Sequence, residues 1–284
     1  MGSLRSRLAR LWQLTKSLQT GLLLATGLAG YMSARCPMFN AGTMLCLIAS
    51  LFLSIAGSTV LNMWYDRDID ARMARTRGRP LSTGETSPNE ALGLGLALSV
   101  LGVGLAVRMQ LLYGLCVFLG LFFDVVVYTM WLKRRTCWSI VWGGISGGMP
   151  VLAGRVLGAG GLDWIGIAMA LGVLFWIPTH IMTFSLRYRA DYQAAGLPTF
   201  PSTYGSAVTR GCIALSSLLA AAAMGAAAWG IGLAFGYLRL LAVLSAGLLL
   251  LAMAMMLRPS EQVNFGLFKY ASLYMLASML LMMI

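Results

Sequence analysis

A chain of 284 residues that is 59% hydrophobic and only 11% charged has more apolar surface than one water-soluble globule can hide, so composition excludes an ordinary soluble enzyme and makes lipid the solvent. A net charge of +12 raises nucleic acid as a partner, but the bases sit in short loops between apolar stretches, where membrane lipids with anionic headgroups account for them. No nucleic-acid partner is expected. The five cysteines, Cys36, Cys46, Cys116, Cys137 and Cys212, show no Cys-x-x-Cys spacing and fall mostly in apolar stretches, so they read as free thiols in packing roles.

A bilayer core about 30 Å thick takes roughly 20 apolar residues per helix. In chain order nine stretches meet that need, over residues 17–34, 42–64, 90–107, 111–131, 139–157, 164–184, 211–234, 237–257 and 266–284. The first has no small-residue cleavage site and runs on as a full crossing, so no cleavable signal is expected. The expected fold class is an all-α, polytopic membrane protein of about nine transmembrane helices. With no Pro/Ser-rich linker or low-complexity tract, residues 1–284 read as a single domain. Glycine pairs such as Gly143-Gly144 and Gly147-Gly148 let helices approach closely. A monomer is possible, because a lipid-facing bundle needs no partner to cover its outer surface.

Basic residues accumulate on the cytoplasmic side of membranes. With the N-terminus inside, that side holds Arg5, Arg7, Arg10, Lys16 and the bases of the loops after the second, fourth, sixth and eighth stretches, and the other keeps only Arg35, Arg108, Arg155 and Arg239. The polar loops after the second, fourth and sixth stretches therefore share one cytoplasmic face, which is expected to carry the function at a cell (plasma) membrane. The second and sixth stretches each end in a charged segment, a faint internal echo.

Asp66, Asp68 and Asp70 fall within five residues, although the whole chain has only nine carboxylates. Asn62, Asp66 and Asp70 recur every four positions, which aligns them on one helix face and turns Asp68 away. Oxygen-bearing side chains at a membrane boundary are costly unless a cation sits against them. They suit Mg²⁺, a hard cation that keeps several waters and bridges carboxylates to substrate phosphates. A plain helix end whose acids pair with Arg67, Arg72 and Arg75 is the simpler reading of the same pattern. An EF-hand is excluded, because Ala71 stands where the loop needs Gly and Arg77 where it needs Glu.

Arg72, Arg75, Arg77 and Arg79 follow at once, and Lys133, Arg134 and Arg135 reach the same side from the fourth stretch. Arginine forks take phosphate oxygens bidentately, so acids and bases together fit a metal diphosphate better than a bare cation. In the second polar segment Thr183, Arg187 and Asp191 share a face at four-residue spacing, with His180 about one turn earlier. His180 is the single histidine of the chain, open to either a packing or a substrate-positioning role.

The Asn-x-x-x-Asp-x-x-x-Asp helix resembles the first signature of the UbiA superfamily of intramembrane prenyltransferases. The blocks NMWYDRDIDARMARTRGRPL, YTMWLKRRT, GGISGGMPVLAG and DYxxAGLP, in that order, are most similar to its protoheme IX farnesyltransferase branch. The resemblance implies a central cavity ringed by the nine helices and open to lipid, with two acidic segments at its mouth. It implies Asn62, Asp66, Asp70 and Asp191 as ligands of Mg²⁺, and Asp66, Asp70, Asp191 and Lys133 as the catalytic set. Asn62, Arg72, Arg79, Tyr128, Lys133, Arg134, His180 and Arg187 become the substrate-binding residues. The substrates implied are a polyprenyl diphosphate and a hydrophobic acceptor, either protoheme or an aromatic acid such as 4-hydroxybenzoate. In quinone-type members the second segment carries several Asp residues; here Asp191 is its only carboxylate.

Ionisation of the allylic C–O bond then leaves a prenyl cation that apolar walls protect from water, with Trp142, Phe175, Trp176 and Phe184 as candidate walls. A cation-coupled transporter is the reading from a different class. It requires ionisable residues deep in several spans, and here they gather at cytoplasmic ends, with Asp124 the main exception.

Overall fold

The structure, a computed structural model, describes Leu14, residues 17–35 and residues 40–284. Arg5, Arg7, Arg10 and Lys16, expected among the cytoplasmic bases, and Cys36 lie outside the described residues. Within them the long helices are α1 (Ser17–Ser33), α2 (Ala41–Tyr65), α4 (Pro88–Met109), α5 (Leu111–Phe122, continued by a π-helical stretch Phe123–Leu132), α6 (Ser139–Ala159), α7 (Trp164–Arg187), α10 (Gly205–Ile231), α11 (Phe235–Leu257) and α12 (Glu261–Met282). Short helices α3 (Arg67–Asp70), α8 (Arg189–Ala194) and α9 (Phe200–Thr203) lie in the polar loops. Eight helices are long and apolar enough to cross a membrane, and α1, with 17 residues, is the remaining long helix in the described residues.

The expected stretches match these helices with shifted ends. The seventh begins at Gly205 and not at 211, and the ninth at Glu261 and not at 266. Apolarity marks the hydrocarbon core, whereas a backbone helix continues through the polar boundary until a cap stops it. Asn40, Asp163 and Ser260 cap α2, α7 and α12 by accepting from the N–H groups of Thr43, Gly166 and Val263. Gly160 and Gly232, at φ 79° and 73°, end α6 and α10 in the left-handed conformation that Gly adopts freely.

Small residues set the packing, because in lipid the close approach of backbones replaces the hydrophobic drive between helices. A Cβ on Gly30 would stand 2.0 Å from the carbonyl oxygen of Val151, and one on Gly154 1.9 Å from that of Gly27, so α1 and α6 touch backbone to backbone. Gly148 meets the Ala170 carbonyl of α7 in the same way, whereas a Cβ on Gly143 would lie 2.8 Å from the ring of Tyr128, which uses that space.

Two apolar clusters divide the bundle. One gathers Leu47, Leu51, Tyr113, Val117 and Val156 from α2, α5 and α6; the other gathers Met169, Met224, Leu248, Leu267 and Met279 from α7, α10, α11 and α12. Contacts of α6 with α7 and of α1 with α12 join the two halves. Polar bonds tie α12 to α7: the Trp176 indole N–H donates to Ala271 (2.7 Å) and the Asn264 amide to Thr183 (2.9 Å). The four described cysteines are free thiols.

Gly154→Ala is expected to lower thermal stability in detergent or lipid by about 1–3 kcal/mol, as overpacking does. Gly225→Ala, where an added Cβ meets nothing within 4 Å, is the control and is expected to leave the melting temperature unchanged.

Candidate active site

The first polar segment keeps its expected alignment through a break in the helix. Asp66 leaves regular helical geometry (φ −87°, ψ 6°), yet its N–H still donates to Asn62 (2.9 Å) and the Asp70 N–H to Asp66 (2.8 Å). Asp66 and Asp70 are buried, and Asp68 is turned outward. Each acid meets its own base. Lys133 pairs with Asp66, Arg79 with Asp70, and the Arg134 fork grips Asp68 at 2.7 and 2.9 Å.

Arg134 also donates to the Tyr65 carbonyl at 2.9 Å and lies 4.7 Å over the Tyr65 ring, so it is held on the outer side of the cluster. Its hydrogen bonds hold the Asp68 carboxyl below its ordinary pKa. Burial works against the charge on Lys133, but Tyr128 and Asp66 beside it outweigh burial and hold its pKa above the ordinary value. Arg72 is exposed, and among the described residues its side chain pairs with none of these acids.

Lys133 arrives there through the unusual end of the fourth membrane helix. From Phe123 the backbone switches to i→i+5 bonding, and the Lys133 N–H donates to Tyr128 at 2.8 Å. Residues five apart, which a regular α-helix would point about 140° from each other, now stand in register. Asp124 and Thr129 both reach Asn62: its amide N–H donates to Asp124 (2.8 Å) and its carbonyl accepts from Thr129 (2.7 Å). Ser58 donates to the same Asp124 oxygen. Tyr128 and Lys133 form the next such pair, with the ammonium 5.5 Å from the ring centre. π-Helical turns are rare and recur at functional sites.

The second polar segment is less regular than its four-residue spacing predicts. Tyr188 (φ −103°, ψ 31°) ends α7, and Asp191 comes on the separate helix α8. Hydrogen bonds across this break, from the Tyr188 N–H to Phe184 (3.0 Å) and from the Tyr192 N–H to Tyr188 (3.2 Å), keep the four-residue offset, but the side chains part. Thr183 is buried and donates to the carbonyls of Thr179 and His180, while Arg187 turns to α12, where it pairs with Glu261 at 3.3 Å and covers Phe265. His180 is sandwiched between Trp176 and Phe268, 4.8 and 4.5 Å between ring centres, with Ser272 3.3 Å from Nδ1. These contacts seat His180 between α7 and α12. Trp142 is half exposed and does not line the cavity described below.

Two contacts close the polar loops onto each other. Ile69 and Met73 of the first loop pack with Tyr192, Ala195 and Leu197 of the second, and Arg75 lies 5.0 Å over the Phe184 ring. Asp191 is half-buried and, among the described residues, forms no ion pair. Beneath this closure lies a small, partly open cavity of about 50 Å³, lined on its polar side by Lys133, Tyr128 and Tyr192 and on its apolar side by Cys137, Ile181, Met182, Leu197 and Phe200. Burial pushes the Tyr192 phenol pKa up, against the opposing pull of nearby Arg75 and Lys133. The sequence reading missed Tyr192 and also the Ser58–Asp124–Thr129 set; the Asp-Tyr pair of the second loop and a carboxylate inside an apolar stretch were the available signals.

The fold and this site define a multi-pass integral membrane protein whose acid–base cluster adjoins, through Lys133, a small cavity with mostly apolar walls. Residues 23–275 match the UbiA prenyltransferase family, and the chain belongs to it. It is similar to the protoheme IX farnesyltransferases of Archaeoglobus fulgidus (45% identical over 200 residues, 70% of each chain) and Aeropyrum pernix (38% over 242 residues, 85% of this chain and 78% of that one). Its fold is similar to a solved digeranylgeranylglyceryl phosphate synthase (TM-score 0.82, 18% identity, 98% of both chains) and to a UbiA homologue from Archaeoglobus fulgidus bound to GPP and Mg²⁺ (TM-score 0.67, 16% identity, 97% of this chain and 100% of that one). The protein is accordingly a prenyltransferase.

The donor set fits a hard cation. Asp66 Oδ1 is buried with no hydrogen-bond partner, 3.7 Å from the Arg134 guanidinium, and Asp191 offers an unpaired carboxylate. Among the described residues no three of His, Cys, Asp or Glu converge on one point. A hard cation held here would therefore take most of its ligands from water or substrate oxygens.

The Asp66–Lys133 pair is expected to show a favourable coupling of about 0.5–3 kcal/mol in a double-mutant cycle of Asp66→Asn and Lys133→Met, read by thermal unfolding without ligand. A raised lysine pKa gives stability that is complete below its unfolded value and lost as pH rises through the folded one, so lysine deprotonation is expected to cost the coupling only at strongly alkaline pH.

Proposed function

We propose that this chain transfers a farnesyl group from farnesyl diphosphate to protoheme, with Mg²⁺ at the mouth of the cavity. The observation that carries the proposal is the position of Lys133, which holds Asp66 at the mouth and at the same time borders an apolar cavity. Asp66, Asp70 and Asp191, with the Asn62 carbonyl, would hold the metal, which supplies charge withdrawal from the diphosphate when bound. Lys133 and Arg79 move from the carboxylates to the diphosphate oxygens and take up charge as the allylic C–O bond breaks. The departing diphosphate keeps the bonding electron pair. The cavity walls, among them Ile181, Met182, Leu197 and Phe200, keep water from the prenyl cation until the acceptor's π electrons form the new C–C bond; the cation this leaves on the acceptor is then discharged by addition of water with loss of a proton, or by loss of a proton alone.

Tyr128 and Tyr192 border the same space and would orient the reacting ends against Lys133. Protoheme is favoured over an aromatic acid because the named relatives are protoheme IX farnesyltransferases and because the second segment has Asp191 as its sole carboxylate. Residues 1–284 would work as one domain, with the mouth on the cytoplasmic side of the plasma membrane, where the bases of the three polar loops lie.

Purified protein in lipid with Mg²⁺ and farnesyl diphosphate is expected to convert protoheme and not 4-hydroxybenzoate. Prenylated benzoate would keep the metal chemistry and overturn the acceptor. Lys133→Met is expected to lower kcat about 10²–10³-fold, and full activity in both Asp66→Ala and Asp70→Ala would remove the metal assignment.

A further inference from the structure

Asp124 lies inside the membrane-spanning stretch Leu111–Leu132, about two turns from its mouth end. An ionisable side chain at such a depth is expensive. Among the described residues no cation pairs with it, and its partners are the neutral groups Ser58 and Asn62. An ordinary packing role is served by a hydroxyl or an amide at far lower cost. What a carboxylate adds is direction: it offers acceptor oxygens, and the amide facing it presents its N–H side. Thr129, on the mouth side of Asp124, donates to the other end of the same amide. Asn62 is thereby left with one arrangement, nitrogen inward and oxygen toward the mouth, where Asp66 follows one turn on.

We infer that Asp124 is a positioning residue that fixes the Asn62 carbonyl oxygen toward the mouth as a ligand for a divalent cation. The inference rests on the metal–diphosphate reading of the site. Thr129 uses one lone pair of that oxygen and leaves the second for a metal. The π-helical stretch is part of the device, because only i→i+5 bonding puts Asp124 and Thr129 on one side to clamp the two ends of a single amide. Asp124 touches neither cation nor substrate in this scheme. It acts through Asn62, as the carboxylates that orient metal ligands from behind do elsewhere.

The test is Mn²⁺ affinity, measured by paramagnetic resonance on the full chain in lipid with inorganic diphosphate. Asp66→Ala is expected to lose binding, and Asp124→Asn to weaken it about 10–100-fold, the usual cost of losing such a support. In the exchanged pair Asn62→Asp with Asp124→Asn, the new amide donates to the new carboxylate. Most of the affinity is expected to return, which a purely structural role for Asp124 would not produce. Should Asp124→Asn fail to fold, Thr129→Val frees the same amide from its other end and is expected to weaken Mn²⁺ in the same direction. Wild-type affinity in Asp124→Asn or in Thr129→Val, with binding lost in Asp66→Ala, overturns the inference and leaves the metal site standing. Wild-type affinity in Asp66→Ala overturns the metal site and the inference together.

Discussion

A carboxylate buried where a membrane helix meets the polar boundary must have positive charge against it, and the pair of Asp66 with Lys133 meets that demand from two separate helices. The rest of the mouth follows from it. For Lys133 to reach Asp66, the end of the fourth membrane helix must lean on the end of α2. That contact carries Asn62 into the grip of Asp124 and Thr129. Arg79 then closes the loop after α3 back onto Asp70, which leaves Ile69 and Met73 free to pack with Tyr192, Ala195 and Leu197 of the second loop. The electrostatic pairs orient the first loop, and the apolar contact fastens the second loop to it.

Away from the ends of α2 and the fourth membrane helix, the membrane bundle supports this arrangement without taking part in it. Backbone contacts at Gly30, Gly154 and Gly148 hold α1, α6 and α7 close, and α12 is bonded to α7 through Trp176 and Asn264. His180 belongs to that second seam, filling the space between Trp176 and Phe268. Close packing on this scale leaves little room for rearrangement in the membrane interior. The space adjoining the acid–base cluster lies where helices give way to the loop carrying Leu197 and Phe200.

Much of this was legible in the sequence, and what was not has definite physical causes. Hydropathy located every long helix, since lipid enforces apolar runs of fixed length, but it shortened those whose ends pass through the polar boundary, as at Gly205 and Glu261. The spacing of Asn62, Asp66 and Asp70 survived a real break because the hydrogen bonds across it kept the helical offset. At Thr183, Arg187 and Asp191 the backbone offset also survives a break, at Tyr188, but Glu261 draws the Arg187 side chain away. A 3.6-residue period has no means of announcing i→i+5 bonding, so the register of Asp124 with Thr129 and of Tyr128 with Lys133 was hidden. Tyr192 was hidden because its importance comes from loop-to-loop packing, which no local pattern encodes.

The acids and bases of the mouth also bear on how such a site handles its substrate. Asp68 and Arg134 are bonded in a fork on the exposed side, where solvent screens them and their contribution is modest. Asp66 and Asp70 are buried, so each needs compensation at all times, from Lys133 and Arg79 or from something else of positive charge. On the proposed function, a divalent cation brought by a diphosphate would supply that charge to the carboxylates and leave the two bases for the anion. The exchange keeps every buried charge partnered on both sides of the step. It also gives the pairing a direction: a bare diphosphate would compete for the bases while stranding Asp66 and Asp70, whereas the metal-bound form leaves neither acid uncompensated. On that reading, selectivity for the metal complex over the free anion would follow from burial of the two carboxylates.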